Sequence, residues 1–231
     1  MTALLFPRRC QVCEKVISPG EGLICKECEA ALPWISQPAC LKCGAPLSDE
    51  IAELCPDCRE RSHYFRSGIC IFRYENGIRG SVIRMKFHNR REYIPFYAAA
   101  MAEGGETFFN RVKPSVLLPV PRNRKKRKER GFDQCLLLTR RLSELTQIPM
   151  EEDNLVRTRY TKAQKGLSHE ERTANVRGAF RLRYPERIQG PVILVDDIAT
   201  TLSTIDAVCL ELMRHGISDV YFMALCTGRN G

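Results

Sequence analysis

The chain has 231 residues, with 36 Lys/Arg against 27 Asp/Glu and a formal net charge of +9. That length holds one domain with a full core and leaves room for a small second module. No stretch approaches the roughly 18 consecutive apolar residues of a spanning helix, which excludes a helical membrane protein. Met1 to Cys10 lacks a basic segment followed by a long apolar one, so no secretory leader is expected and the chain reads as cytoplasmic.

Twelve residues are Cys. Eight form four Cys-x-x-Cys pairs: Cys10/Cys13, Cys25/Cys28, Cys40/Cys43 and Cys55/Cys58. Each half reads C-x2-C-x11-C-x2-C, and the second half repeats the first thirty residues later. Two thiolates two residues apart on a tight turn can face one tetrahedral Zn²⁺, and a second pair closes the site. Disulfides would need an oxidising compartment. The expectation is a double zinc ribbon over 1–62 with two zinc ions. Thiolate fills all four positions of each site, so the metals are structural. The spacing leaves open whether the pairs ligate sequentially or interleave. Residues 1–62 hold seven Lys/Arg and nine Asp/Glu, so the positive charge belongs to residues 63–231, with 29 basic and 18 acidic side chains. Such a domain attracts polyanions, a diphosphate-bearing sugar or nucleic acid among them.

In residues 63–231 the pattern predicts a strand over 68–74, helices over 78–86 and 94–109, and a short buried strand over 115–121. A helix over 134–146 follows, then a polar, basic stretch over 150–180 with little apolar periodicity. Strand, helix and strand close the chain. Strands alternating with helices imply an α/β fold with a mostly parallel sheet. Cys209 and Cys226 lie in apolar patterns and read as core residues. His63, His88, His169 and His215 show no ligand spacing or triad context.

Residues 192–204 read Val-Ile-Leu-Val-Asp-Asp-Ile-Ala-Thr-Thr-Leu-Ser-Thr. The aliphatic run predicts a strand buried on both faces. Two acids and a loop of small hydroxyl residues follow. Ile205, Val208, Cys209, Leu212 and Met213 then fall at helical spacing. The first amides of such a helix have no internal partner, and the dipole favours an anion there. Thr200, Thr201, Ser203 and Thr204 add hydroxyl donors. Asp196 and Asp197 repel that anion but accept from sugar hydroxyls or hold Mg²⁺. A phosphorylated sugar fits both halves. The stretch resembles the phosphoribosyl-diphosphate (PRPP) loop of type I phosphoribosyltransferases. The resemblance implies ribose contacts at Asp196 and Asp197, which it makes the catalytic pair, and a 5′-phosphate held by Ala199, Thr200, Thr201, Leu202, Ser203 and Thr204. Leu202 stands where that family usually has Gly.

Two further segments extend the resemblance. Pro119-Val120-Pro121 precedes Arg122-Asn-Arg-Lys-Lys-Arg-Lys-Glu-Arg130, seven of whose nine residues are basic, and Gly131-Phe132-Asp133-Gln134 follows. The second is Arg157-x6-Gln164-x2-Leu167-x4-Arg172-x2-Asn175-x2-Gly178-x-Phe180. With the cysteine repeat, these resemble the ComF family, competence-associated proteins that join a double zinc ribbon to a phosphoribosyltransferase-like domain, here 63–231. The two loops are also similar to those of amidophosphoribosyltransferases. The resemblance implies PRPP with Mg²⁺ as ligand and diphosphate contacts from Arg122 and Arg130 on one loop and Lys165 and Arg172 on a flap. It implies a phosphoribosyltransferase serving DNA uptake or nucleotide-linked metabolism, with single-stranded DNA and DNA-uptake proteins as candidate partners. The alternative is a PRPP- or single-stranded-DNA-binding protein with little turnover.

Overall fold

The structure is a computed structural model and describes residues 7–18, 20–122, 131–158 and 178–229. Two short helices, α1 (Lys26–Ala30) and α2 (Pro56–Glu60), begin directly after Cys25 and Cys55. The second Cys pair of each ribbon therefore sits on a first helical turn. The larger part runs β1 (Gly68–Arg73), α3 (Asn76–Phe87), α4 (Ile94–Val112), β2 (Val116–Pro119), α5 (Gln134–Thr146), β3 (Leu155–Arg157), β4 (Phe180–Leu182), β5 (Val192–Ala199), α6 (Ser203–Met213) and β6 (Val220–Thr227).

The main sheet has the order β1-β6-β5-β2, and every pairing in it is parallel. The unbroken aliphatic runs make this possible, because both faces are covered. Val192 and Leu194 of β5 join Phe222 and Ala224 of β6 in one apolar cluster. Ile193 and Val195 join Met223 and Leu225 in the other. The first cluster also takes α6, β3 and β4, and the second takes α3, α4 and α5. The chain is thus α/β, with a parallel sheet flanked by helices and ribbons at its N-terminal end.

The helix expected over 134–146 forms as α5, capped by the Asp133 carboxylate, which accepts from the Leu136 amide at 3.3 Å. Two expectations need correction. The strand at 192 does not stop before the acids. It runs through Asp196 and Asp197 to Ala199, because β6 continues alongside and pairs with Asp196, Ile198 and Ala199. The 150–180 stretch contains β3, which the sequence pattern did not suggest. Leu155 to Arg157 pair antiparallel with Leu182 to Phe180, so the ends of the intervening segment are adjacent.

The ribbons straddle the sheet. Between them, residues 33–35 run along the free edge of β1, with Ile35 N donating to Ile71 O and Arg73 N to Pro33 O, each at 2.9 Å. That contact covers an edge otherwise open to further pairing. The first ribbon packs Cys10, Val12 and Ile17 against α3 and α4. Ser81 Oγ donates to Gln11 O and Arg84 to Val12 O. The second ribbon packs Cys40, Cys43, Ala45 and Leu47 into the opposite cluster, and Gly68 N donates to Lys42 O at 2.8 Å.

Gly44 is the tightest point of that second contact. Its φ is +68°, and a Cβ there would lie 2.6 Å from Ile69 Cα and 2.8 Å from Gly68 O. Gly44→Ala is expected to cost about 2 kcal/mol or more, from backbone strain and the clash together. Urea denaturation of the zinc-loaded protein measures this, with Gly22→Ala as a near-neutral control, since no atom lies within 4 Å of its added Cβ. The ribbons also differ in burial. All four cysteines of the second are buried, whereas Cys13 is exposed and Cys25 and Cys28 are half-buried. Chelator-driven zinc release is expected in two phases, the first ribbon emptying faster. Cys13→Ser should abolish the fast phase and leave the slow one.

Candidate functional site

The cysteines gather as Cys10, Cys13, Cys25, Cys28 and as Cys40, Cys43, Cys55, Cys58, the ligand atoms of each group lying within 4.8 Å of one another. Ligation is therefore sequential. A tetrahedral ion with Zn–S bonds of about 2.3 Å spaces its sulfurs about 3.8 Å apart. Cys13 and Cys25 Sγ are 3.8 Å apart, and Cys43 and Cys55 Sγ are 3.7 Å apart. Both groups fit a structural zinc ion. Burial opposes charge on the Cys10 sulfur, but amides of Cys13, Cys25 and Val12 donate to it and bring its pKa down to about 7. That favours the thiolate a metal requires.

All four strands of the main sheet point the same way, so their carboxyl ends share one edge. Ligands of open α/β sheets bind outside that edge. Here β5 delivers Asp196 and Asp197. Asp197 is 2% exposed. It forms an ion pair with Lys86 of α3 at 2.9 Å and a second with Arg122, just beyond β2. Asp196 Oδ1 accepts from the Cys135 thiol of α5 at 3.3 Å and from the Asp197 amide at 2.8 Å. Burial raises the Asp196 pKa, opposed by the charges of Arg122, Lys86 and Arg157 and by the Cys135 hydrogen bond. Burial also pushes the Cys135 thiol up, so it stays protonated and donates. Two carboxylates and two cations meet within this cluster, so the buried charges are paired.

Beyond Ala199 the chain turns into α6. Leu202, the residue before the helix, has φ +60° and ψ −2°, and no side chain caps the helix start. The left-handed conformation that glycine would supply is thus taken by leucine. Its side chain is 3% exposed and packs in the same cluster as Ala199, Ile205 and Val208. Ser203 Oγ donates to Thr201 Oγ1 at 3.1 Å. Thr200 is exposed and Thr201 and Thr204 are partly so. The result is an uncapped helix N-terminus rimmed by hydroxyls, directly past two carboxylates.

Arg122 belongs to the acid cluster, with a terminal nitrogen 3.8 Å from Cys135 Sγ as well as its pair to Asp197. Arg130, Lys165 and Arg172 lie outside the described residues. Arg157 stacks over Phe180, 5.2 Å from the ring centre, at the root of the β3–β4 hairpin. Sequence reasoning missed Lys86, Cys135, the pair His63–Asp206 and Arg229. Each acts across a long sequence separation, and only Cys135, one residue from the Gly-Phe-Asp-Gln motif, had a local cue.

Residues 1–62 match the family described as double zinc ribbon domain. The chain is 27% identical over 229 residues to Competence protein F of Haemophilus influenzae, covering 95% of this chain and 97% of that one. It is 28% identical over 229 residues to DNA utilization protein YhgH of Escherichia coli, covering 96% and 98%. With Competence protein ComFC of Bacillus subtilis it shares 26% identity over 210 residues, 87% of this chain and 82% of that one. The sequential four-cysteine sites, and a similarity to competence and DNA utilization proteins that runs through both the ribbons and the α/β sheet, support the ComF family for this chain.

Proposed function

We propose that the chain binds PRPP at residues 196–204 and acts in the handling of incoming DNA. The observation that carries this is an uncapped helix N-terminus immediately beyond two carboxylates at the carboxyl edge of a parallel sheet. In this reading residues 63–231 form a type I phosphoribosyltransferase-like domain. The first amides of α6, with Thr200, Thr201, Ser203 and Thr204, take the 5′-phosphate. Asp196 and Asp197 accept from ribose hydroxyls. Arg122 faces the diphosphate side, and the family resemblance gives the same role to Arg130, Lys165 and Arg172, which lie outside the described residues. Lys86 and Arg122 already balance Asp197; Mg²⁺, where bound with the diphosphate, would supply charge to the leaving group. The names of the relatives, competence and DNA utilization proteins, support the cellular role.

One observation supports a second reading, in which single-stranded DNA binds the 122–130 run. Arg91 reaches Gly131 O at 3.3 Å and lies over Phe132, 4.7 Å from the ring centre. Exposed Arg90 and Arg91 therefore lie close to Gly131, where that run ends in the sequence. Such binding would be strongly salt-dependent.

Calorimetric titration of the zinc-loaded chain with PRPP and Mg²⁺ tests the first reading. Absence of binding by the natural protein overturns it. Hydrogen bonds to a charged acceptor contribute about 1.5–3 kcal/mol, so Asp196→Asn should weaken binding about tenfold or more while the fold holds. Asp197→Asn is a poor probe. It strands Lys86 and Arg122, and it should lower stability by about 3–5 kcal/mol, measurable by denaturant titration without ligand.

A further inference from the structure

Two chains of contact join the second ribbon to opposite ends of the 199–204 loop. The first starts at Arg229, just past β6. Its side chain is 8% exposed. One terminal nitrogen lies 3.4 Å from Cys55 Sγ and 2.9 Å from Asp57 Oδ2. Its Nε and other terminal nitrogen are buried and find no hydrogen-bond partner among the described residues. A buried guanidinium so placed needs a strong counter-charge. Asp57 provides one, and zinc held by four thiolates, with two net negative charges, would provide another. The backbone amide of Arg229 donates to Thr227 Oγ1, which donates in turn to Ala199 O, each at 3.1 Å. Ala199 is where the loop begins.

The second chain of contact reaches the other end. Asp206 lies in the first turn of α6. Its carboxylate pairs with His63 Nδ1 at 2.8 Å and accepts from the Tyr64 amide at 3.0 Å. His63 and Tyr64 are the first residues after the ribbon, and the His63 ring stacks on Phe65 at 5.0 Å. A carboxylate in a first helical turn competes with a bound anion for the same amides. Residues 63 and 64 hold this one away from them.

We propose that Arg229 and His63 are positioning residues that couple the second zinc centre to the 199–204 loop, so that zinc in the second ribbon keeps the loop in its anion-binding form. The inference rests on the assignment of that loop to the 5′-phosphate of PRPP, but the coupling has a readout that needs no ligand. Hydrogen exchange of the amides of 199–206 is compared in the zinc-loaded full chain, Arg229→Ala, Arg229→Lys and His63→Ala. Coupling between sites is commonly several-fold to about a hundredfold. Arg229→Ala is expected to speed loop exchange about tenfold and to hasten zinc release from the second ribbon, with the first ribbon unaffected. Arg229→Lys keeps the charge and should restore part of both. By reciprocity, PRPP should slow zinc release from the second ribbon in the natural protein and not in Arg229→Ala. Loop exchange unchanged in both Arg229→Ala and His63→Ala, with zinc bound, overturns the coupling. If exchange responds but PRPP binds no form, the coupling stands and the ligand assignment falls. Should Arg229→Ala fail to fold, exchange in His63→Ala decides.

Discussion

The ladder between β5 and β6 continues past the aliphatic run, and that continuation arranges everything at the carboxyl edge of the sheet. Asp196 and Asp197 are strand residues with fixed directions, not loop residues free to turn. Asp197 is held inside, which obliges the fold to bring a cation from α3 and another from the end of β2. Asp196 keeps partial exposure and meets the Cys135 thiol. The same ladder pairs Ala199 with Thr227, so the start of the hydroxyl loop and the C-terminal tail move as one. Shortening the ladder would release the acids, the loop and Arg229 together.

Leu202 shows how the loop keeps its shape without glycine. A left-handed conformation costs a side-chain-bearing residue about 1–2 kcal/mol. Full burial of a leucine side chain returns about 1.5–3 kcal/mol. The two nearly offset, and burial has a small advantage. A glycine here would remove the strain and the packing at once. The exchange also changes the loop's character, because a buried Leu202 ties the helix start to the core beside Ile205 and Val208. The result is a stiffer loop than glycine would give.

Local signals made part of this legible in the sequence. The cysteine repeat announced both metal groups because the ligands of each half sit within nineteen consecutive residues. The helix 134–146 was readable from its apolar period, and its Asp133 cap is one residue away. The acid pair and the helix after it were visible for the same reason. What escaped was long-range. Nothing around Lys86 marks it as the partner of a residue 111 positions later, and His63 looked isolated because Asp206 lies 143 residues away. The strand end was misplaced because acids in a strand are disfavoured by pattern, and only the neighbouring β6 and the buried cations reverse that preference.

The ribbons share a sequence repeat but carry different burdens. The first lies over α3 and α4, with one sulfur exposed, and its main-chain carbonyls at Gln11 and Val12 receive Ser81 and Arg84. It acts as a cover for that helical face. The second buries all four of its cysteines and contributes them to the cluster that holds β5, β6 and α6. A metal held by them would sit against the core. A charge in that position must be answered locally, and the answer comes from Arg229 at the far end of the chain. Cys55 and Arg229, 174 positions apart, thus meet at one cysteine cluster. The second ribbon cannot complete its surroundings until β6 is in place, so its metal reports on the finished sheet.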